Sequence, residues 1–107
     1  MIDFNRQITI TLKTGKVDLG CRSASAAAKL GRAKLIILAS NCPENYKTEI
    51  MRDAKGSGVP TYIYDGKSLE LGSVCGKPFI VAAVTVREPG DSEILRLAEE
   101  QDAVTKN

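Results

Sequence analysis

Histidine and tryptophan are both absent from the 107 residues. Without an imidazole there is no Ser–His or Cys–His nucleophile pair and no histidine-ligated zinc. Nor is there a side chain whose ordinary titration falls near neutrality. Cysteine is scarce and odd in number: Cys21, Cys42 and Cys75, with no C-x-x-C pair. A disulfide framework or four-cysteine zinc site is therefore not expected, and reduced thiols are the ordinary state of such a chain. Long apolar runs are missing too. The longest, Leu35–Ala39 and Phe79–Val84, have five and six residues, against the roughly 18 a membrane span requires. The opening Met1-Ile2-Asp3-Phe4-Asn5-Arg6 lacks the basic start and apolar stretch of a secretory signal. Neither G-x-x-x-x-G-K-[ST] nor G-x-G-x-x-G occurs, and the carboxylates form no evident in-sequence pair. Little is left for an enzyme to work with, and nothing calls for a metal or a cofactor.

What is present is ordinary globular material: 43% hydrophobic and 26% charged residues. The chain reads as a single domain, 1–107, with no repeat, linker or low-complexity tract, and with a frayed end after residue 101. Its net charge of +2 says little by itself, but the distribution is uneven. Residues 1–40 carry +5, residues 41–76 carry −1 and residues 77–107 carry −2. Positive charge gathers towards the N-terminal side, where a solvated basic face and a binding patch are both open readings.

An alternation of helices and strands runs along the chain. Phe4, Ile8 and Leu12 recur at helical spacing behind a possible Asp3 cap, while Ile8-Thr9-Ile10-Thr11-Leu12 alternates as a strand would, so pattern alone does not decide this segment. Lys16–Leu19 reads as a short strand. The alanine-rich Ser23–Leu30 predicts a helix stopped by Gly31, and Lys34–Ala39 predicts a strand buried on both faces. If the strands on either side of that crossover helix pair in parallel, their exit turns lie side by side. A third helix starts at Pro43, with Asn41 and Cys42 as candidate caps, and carries Tyr46, Ile50 and Ala54 on one face until Gly56-Ser57-Gly58 breaks it. Thr61–Tyr64 predicts a strand, Ser68–Val74 a short helix capped by Ser68, and Phe79–Val86 a strand centred on Ile80–Val84. Asp91, Ser92 and Glu93 would open a last helix whose Ile94, Leu95 and Ala98 dock on the sheet. This order implies a central sheet with helices on both faces.

Three turns carry the candidate chemistry. Gly20 precedes a helix start, so backbone N–H groups there can meet an anion closely, and Arg22 adds a planar fork suited to phosphate. Asn41 offers an amide at the second turn, with helix capping as its plainer use. Lys29, Arg32 and Lys34 frame Gly31 and can reach a phosphate chain or simply be solvated. Phe79 follows the loop 72–78 and is either core or a platform for an unstacked base; with Phe4, Tyr46, Tyr62 and Tyr64 it completes the aromatic set. A cysteine at a helix start, Cys21 or Cys42, can have a lowered thiol pKa, although inert burial is the usual fate of a free cysteine.

The stretches Leu19–Ser23, Gly31–Pro43, Glu70–Lys77 and Pro89–Leu95 together resemble the L-thirty-e family of archaeal and eukaryotic large-subunit ribosomal proteins, within the kink-turn RNA-binding superfamily. The resemblance is collinear from about residue 3 to 97. It implies an α/β fold, a three-layer α/β/α sandwich with a central four-stranded mixed sheet and a helical first segment. It also implies non-catalytic binding of a sharply bent internal loop of ribosomal RNA. By this likeness Gly20 and Arg22 meet RNA at the first turn and Asn41 at the second, with Lys29 and Lys34 as weaker electrostatic contributors. Phe79 and Val81 form the apolar pocket for an extruded base. The partners implied are ribosomal RNA and neighbouring ribosomal proteins, in a cytoplasmic ribosome, with no membrane and a monomer when free. Gly56, Arg52-Asp53 and Ile80 depart from the family's pattern, where a larger residue, an aromatic patch and a basic residue are usual. Two alternatives remain on sequence: a kink-turn protein of a non-ribosomal RNA-processing particle, and a small nucleotide- or phosphate-binding α/β enzyme using the same helix N-termini.

Overall fold

The structure, a computed structural model, describes residues 4–88 together with Gly90, Ile94 and Leu95. The expected Asp3 cap and the residues 91–93 and Ala98 of the last helix lie outside these. The elements are α1 (Phe4–Thr14), β1 (Lys16–Leu19), α2 (Cys21–Leu30), β2 (Leu35–Leu38), α3 (Glu44–Ser57), β3 (Thr61–Ile63), α4 (Ser68–Val74) and β4 (Ala83–Glu88). The strand order is β1-β4-β2-β3, with β4 antiparallel to both β1 and β2, and β2 parallel to β3. The sheet is mixed and four-stranded, as the family likeness implied. The side-by-side pairing of the first two strands is corrected: β1 and β2 run in the same direction, but β4 lies between them.

The segment that fits two patterns folds as a helix. Its threonines return hydrogen bonds to the preceding turn, from Thr9 Oγ1 to the Asn5 carbonyl (3.2 Å), Thr11 Oγ1 to Gln7 (2.8 Å) and Thr14 Oγ1 to Ile10 (2.8 Å). That back-bonding satisfies hydroxyls that would otherwise compete with the helix. Ile8 and Thr11 are buried by the resulting face.

β2 separates the two halves of the core. Leu35, Ile37 and Ala39 face a cluster containing Ile8 of α1, Leu71 of α4, Val84, Val86 and Ile94. Ile36 and Leu38 face the opposite way, onto Ala24 and Ala28 of α2 and Ile50 and Ala54 of α3. All four β2 residues are fully buried, each such side chain contributing about 1.5–3 kcal/mol relative to exposure. The alanines of α2 have a packing role besides helix propensity, because small side chains let the helix lie close to the sheet. Gly31 and Gly58 end α2 and α3 in the left-handed conformation, so α3 runs through Gly56 instead of breaking there.

Two element starts move by two residues or more. α2 begins at Cys21, two residues before the sequence reading. β4 begins only at Ala83, and Phe79 and Ile80, expected in or beside a buried strand, are 54% and 63% exposed. The cause is local: the Val81 N–H donates to the Ser68 carbonyl (3.0 Å), and a Cβ on Gly72 would overlap the Phe79 carbonyl oxygen. Residues 79–81 therefore pack their backbone against α4 before the ladder starts.

Two buried polar atoms among the described residues lack a partner, Asp53 Oδ2 and Thr85 Oγ1. Thr85, fully buried in β4, has a hydroxyl without a hydrogen-bond partner among the described residues. Replacing an unsatisfied buried hydroxyl by a methyl of similar shape removes a desolvation cost. Thr85→Val is expected to raise unfolding stability by about 1 kcal/mol, read as a higher urea midpoint at unchanged m-value; a lower midpoint would show that the hydroxyl is in fact satisfied.

Candidate nucleic-acid interface

The register of β4 brings three loops to one edge of the sheet. Val84 is level with both Leu19 of β1 and Ile37 of β2. The exits of β1 and β2 consequently flank the entry to β4, two strand spacings or about 10 Å apart. The Gly20 N–H donates to Ala83 O (2.8 Å) on one side, and the Ala39 N–H to Ala82 O (2.9 Å) on the other.

Gly20 initiates α2 with φ 110° and ψ 156°, a conformation that in practice only glycine adopts. A Cβ there would meet nothing within 4 Å, so the constraint is one of backbone and the space over the helix start is open. No side chain caps α2 and no acidic residue stands in its first turn. Its leading N–H groups and the positive end of its dipole face outward, with exposed Arg22 beside them.

At the second loop the expected capping role of Asn41 changes partner. It does not cap α3, whose N-cap position is Pro43 with no side-chain hydrogen bond. Its Oδ1 instead accepts from the Ser68 N–H (2.7 Å) at the start of α4, and the Asn41 amide keeps two N–H donors for another partner. Ser68, expected as the cap of that helix, is its first residue. The Ser40 N–H and Oγ–H both donate to Gly66 O at 2.9 Å, which fastens the same loop to the β3–α4 turn.

The third loop presents Phe79 and Ile80 to solvent. Val81, expected with Phe79 in an apolar pocket, is only 2% exposed and packs in the core beneath. Of that pair only Phe79 offers a face; Val81 anchors the loop from below.

Gly20, Arg22, Asn41 and Phe79 therefore share one rim, and Lys29 and Lys34 do not. Lys29 sits about 12 Å along α2 from its start and pairs with Glu49 at 3.0 Å. The pair raises the Lys29 pKa and holds the Glu49 carboxyl below the ordinary glutamate range. Lys34 precedes β2, its N–H bonded to Val86 O (2.8 Å), about 13 Å of strand away from Leu38. It lines a shallow cleft of about 430 Å³ at the far pole with Lys16, Arg32, Arg87 and Glu88; Arg87 is itself paired with Asp18 at 2.9 Å. Sequence reasoning passed over two other cations. Lys67 immediately precedes α4, where Asn41 caps it, and Lys47 in the first turn of α3 lies near enough to Cys42 to favour its thiolate. Neither has a distinguishing motif, and both gain meaning only once the topology brings the starts of α3 and α4 to the rim.

The thiols of Cys21 and Cys42 also meet at this edge, Sγ to Sγ 4.0 Å, both free. Burial and the neighbouring Cys21 push the Cys42 thiol up to about 12. Among the described residues no cluster of three or more metal-ligating side chains occurs, and no helix is long and apolar enough to cross a membrane.

Residues 3–96 match the family described as ribosomal protein L7Ae/L30e/S12e/Gadd45. A relative from Methanosphaera stadtmanae named large ribosomal subunit protein eL30 is 47% identical over 98 residues, 92% of this chain and 100% of the relative. Proteins of the same name from Methanothermobacter thermautotrophicus and Pyrobaculum neutrophilum are 47% and 40% identical, covering 90% and 92% of this chain and 98% of each relative. A solved structure of a Bacillus halodurans protein of unknown function superposes with a TM-score of 0.78 at 18% identity, over 94% of this chain and 99% of that one; that likeness speaks to the fold alone. With the match running through all eight described elements, the chain belongs to the ribosomal protein L7Ae/L30e/S12e/Gadd45 family, among its L30e members.

Proposed function

We propose that this chain is a structural constituent of the large ribosomal subunit that binds a kink-turn of ribosomal RNA with the rim formed by the β1–α2 turn, the β2–α3 turn and the α4–β4 loop. As an L30e ribosomal protein it is not an enzyme. The observation that carries the RNA reading is the convergence of an uncapped helix N-terminus, an amide with spare donors and an exposed aromatic ring on one edge. Backbone N–H groups and Arg22 suit phosphates, the Asn41 amide suits a base or sugar edge, and Phe79 suits an extruded base. Ile80 widens the apolar platform, while Val81 fixes it from beneath. Lys29 and Lys34 contribute long-range attraction only, one held by Glu49 and the other at the far pole. Free in solution the chain is a monomer; in the ribosome, in the cytoplasm, its neighbours are ribosomal RNA and other ribosomal proteins.

A gel shift against one kink-turn RNA and a straightened mutant tests the reading. The bent RNA should bind preferentially. Its affinity should fall with salt at a slope of about 0.7–0.9 per phosphate contact, and shallowly overall because contacts are few. Phe79→Ala should weaken binding about tenfold, the low-to-middle range for loss of a stacking platform. Arg22→Glu should weaken it too, and Lys34→Ala by less than either. Equal affinity for bent and straight RNA, or indifference to both rim substitutions, would refute the assignment.

Asn41 separates fold from recognition. Asn41→Ala is expected to cost about 1 kcal/mol of stability through the lost α4 cap. Asn41→Asp keeps an oxygen for the Ser68 N–H and should retain that stability, yet it removes the amide donors and repels phosphate. Thermal unfolding beside RNA titration should show the aspartate variant stable but weakly binding; undiminished binding would remove Asn41 from the interface.

A further inference from the structure

Two of the three cysteines lie in separate elements, 21 residues apart, yet their sulfurs are 4.0 Å from one another. Cys21 is the first residue of α2, between Gly20 and Arg22, and Cys42 stands between Asn41 and Pro43. Cys21 is partly exposed, whereas Cys42 is 5% exposed within the cluster between the sheet and the α2–α3 layer. Cys75 is 8% exposed and packs in the cluster on the opposite face of the sheet, out of reach of both. The arrangement joins an accessible thiol at a positive helix end to a sheltered second thiol.

We propose that Cys21 and Cys42 form a reversible oxidation site, in which a low-molecular-mass disulfide of the glutathione class converts the two thiols into one intramolecular disulfide that joins the β1–α2 turn to the β2–α3 turn. The Cys21 thiolate attacks one sulfur of the small disulfide, whose S–S bond breaks and releases one thiol after proton uptake. Cys42 then gives up its proton and attacks Cys21 Sγ; the mixed disulfide breaks and a second thiol leaves. One small disulfide is reduced to two thiols while two protein thiols are oxidised to one disulfide. The order follows from position, since burial keeps the Cys42 proton in place and makes it the resolving partner.

The consequence for the rim is geometric and rests on the RNA-binding reading above. A disulfide requires the sulfurs at about 2.0 Å, roughly 2 Å closer than they stand. The part of that closure not supplied by rotation of the two cysteine side chains falls on the turns carrying Gly20 and Arg22 on one side and Asn41 on the other. A rim drawn in this way no longer presents the spacing of the reduced protein, and RNA affinity falls.

The test uses the full chain equilibrated with graded mixtures of oxidised and reduced glutathione. Free thiols should fall from three to one, with the loss of two hydrogens in the intact mass and a peptide map joining Cys21 to Cys42. Cys75→Ser should leave that link intact, and Cys21→Ser should abolish it; the wild-type map needs no variant and stands if a variant folds poorly. Oxidised protein should bind the bent RNA about tenfold more weakly, with affinity restored by a reductant. Glutathione adducts without an internal link, or a link through Cys75, would overturn the site. A Cys21–Cys42 link with unaltered affinity, in a chain whose reduced form does bind, would overturn its effect on the rim. Failure of the reduced chain to bind bent RNA would instead defeat the functional reading and, with it, the effect on RNA, while the map would still confirm or overturn the oxidation site.

Discussion

β4 lies in register with β1 and β2 at once, and the ends of those strands have no other common reference. Val84 is the last partner they share, flanked by Leu19 and Ile37, and Ala82 and Ala83 accept the N–H groups of Ala39 and Gly20 at the point where the other two strands leave the sheet. Burial of Val84 and Val86 against α1 and α4, and of Ala83 against α2 and α3, holds the strand in place from both faces. A slip of one residue would turn Val84 and Val86 to the wrong layer. It would also lift one turn above the other, so the apolar alternation of this strand sets the geometry of the edge as well as the core.

Local signals survived translation into structure and long-range ones did not. β2 was legible because a run buried on both faces has no polar alternation to mislead, and the stop at Gly31 was legible because α2 ends there in a left-handed residue. The placement of Gly20 and Asn41 on turns was also within reach of sequence, whereas Arg22, expected on the first turn, stands in the opening turn of α2. The interleaving of β4 between β1 and β2 was not, since it depends on pairing between residues 65–72 apart on one side and 45–51 apart on the other. Phe79 and Ile80 misled for a related reason. Their apolar run is continuous with β4, and only the contact of Gly72 with the Phe79 backbone shows why the first two members stay outside. Asn41 was recognised as a cap, but the helix it serves is the one arriving 27 residues later.

The positive charge of the first 40 residues was a signal of the right kind read at too coarse a scale. Folding divides it between two poles. Arg22 goes to the rim with the helix start, while Lys16, Arg32 and Lys34 go to the far end, where they meet Arg87. Of the basic residues in that segment the rim therefore receives the smaller share, and Lys47 and Lys67 join it from later in the chain. On the proposed reading its attraction for RNA would draw on aligned N–H groups and an aromatic face as well as on cations, the composition expected where shape, not bulk charge, is recognised.

Leaving Phe79 and Ile80 exposed forgoes apolar burial that a fold of this size could use, on the order of 1.5–3 kcal/mol for a large side chain. The loop does not retreat into the core because its backbone is already committed: the Val81 N–H is bonded to Ser68, Val81 is buried, and α4 has no side chain at Gly72 to push the chain away. The residue that Val81 contacts through its backbone, Ser68, is the same one that Asn41 caps, so the second and third loops are coupled through a single residue at the start of α4. A rim braced in this way has little left to order when a ligand arrives, and a rigid edge keeps more of its contact energy than a mobile one. The same bracing makes the edge sensitive to anything that displaces one loop relative to another, since Ser68 cannot follow Asn41 without carrying Val81 along.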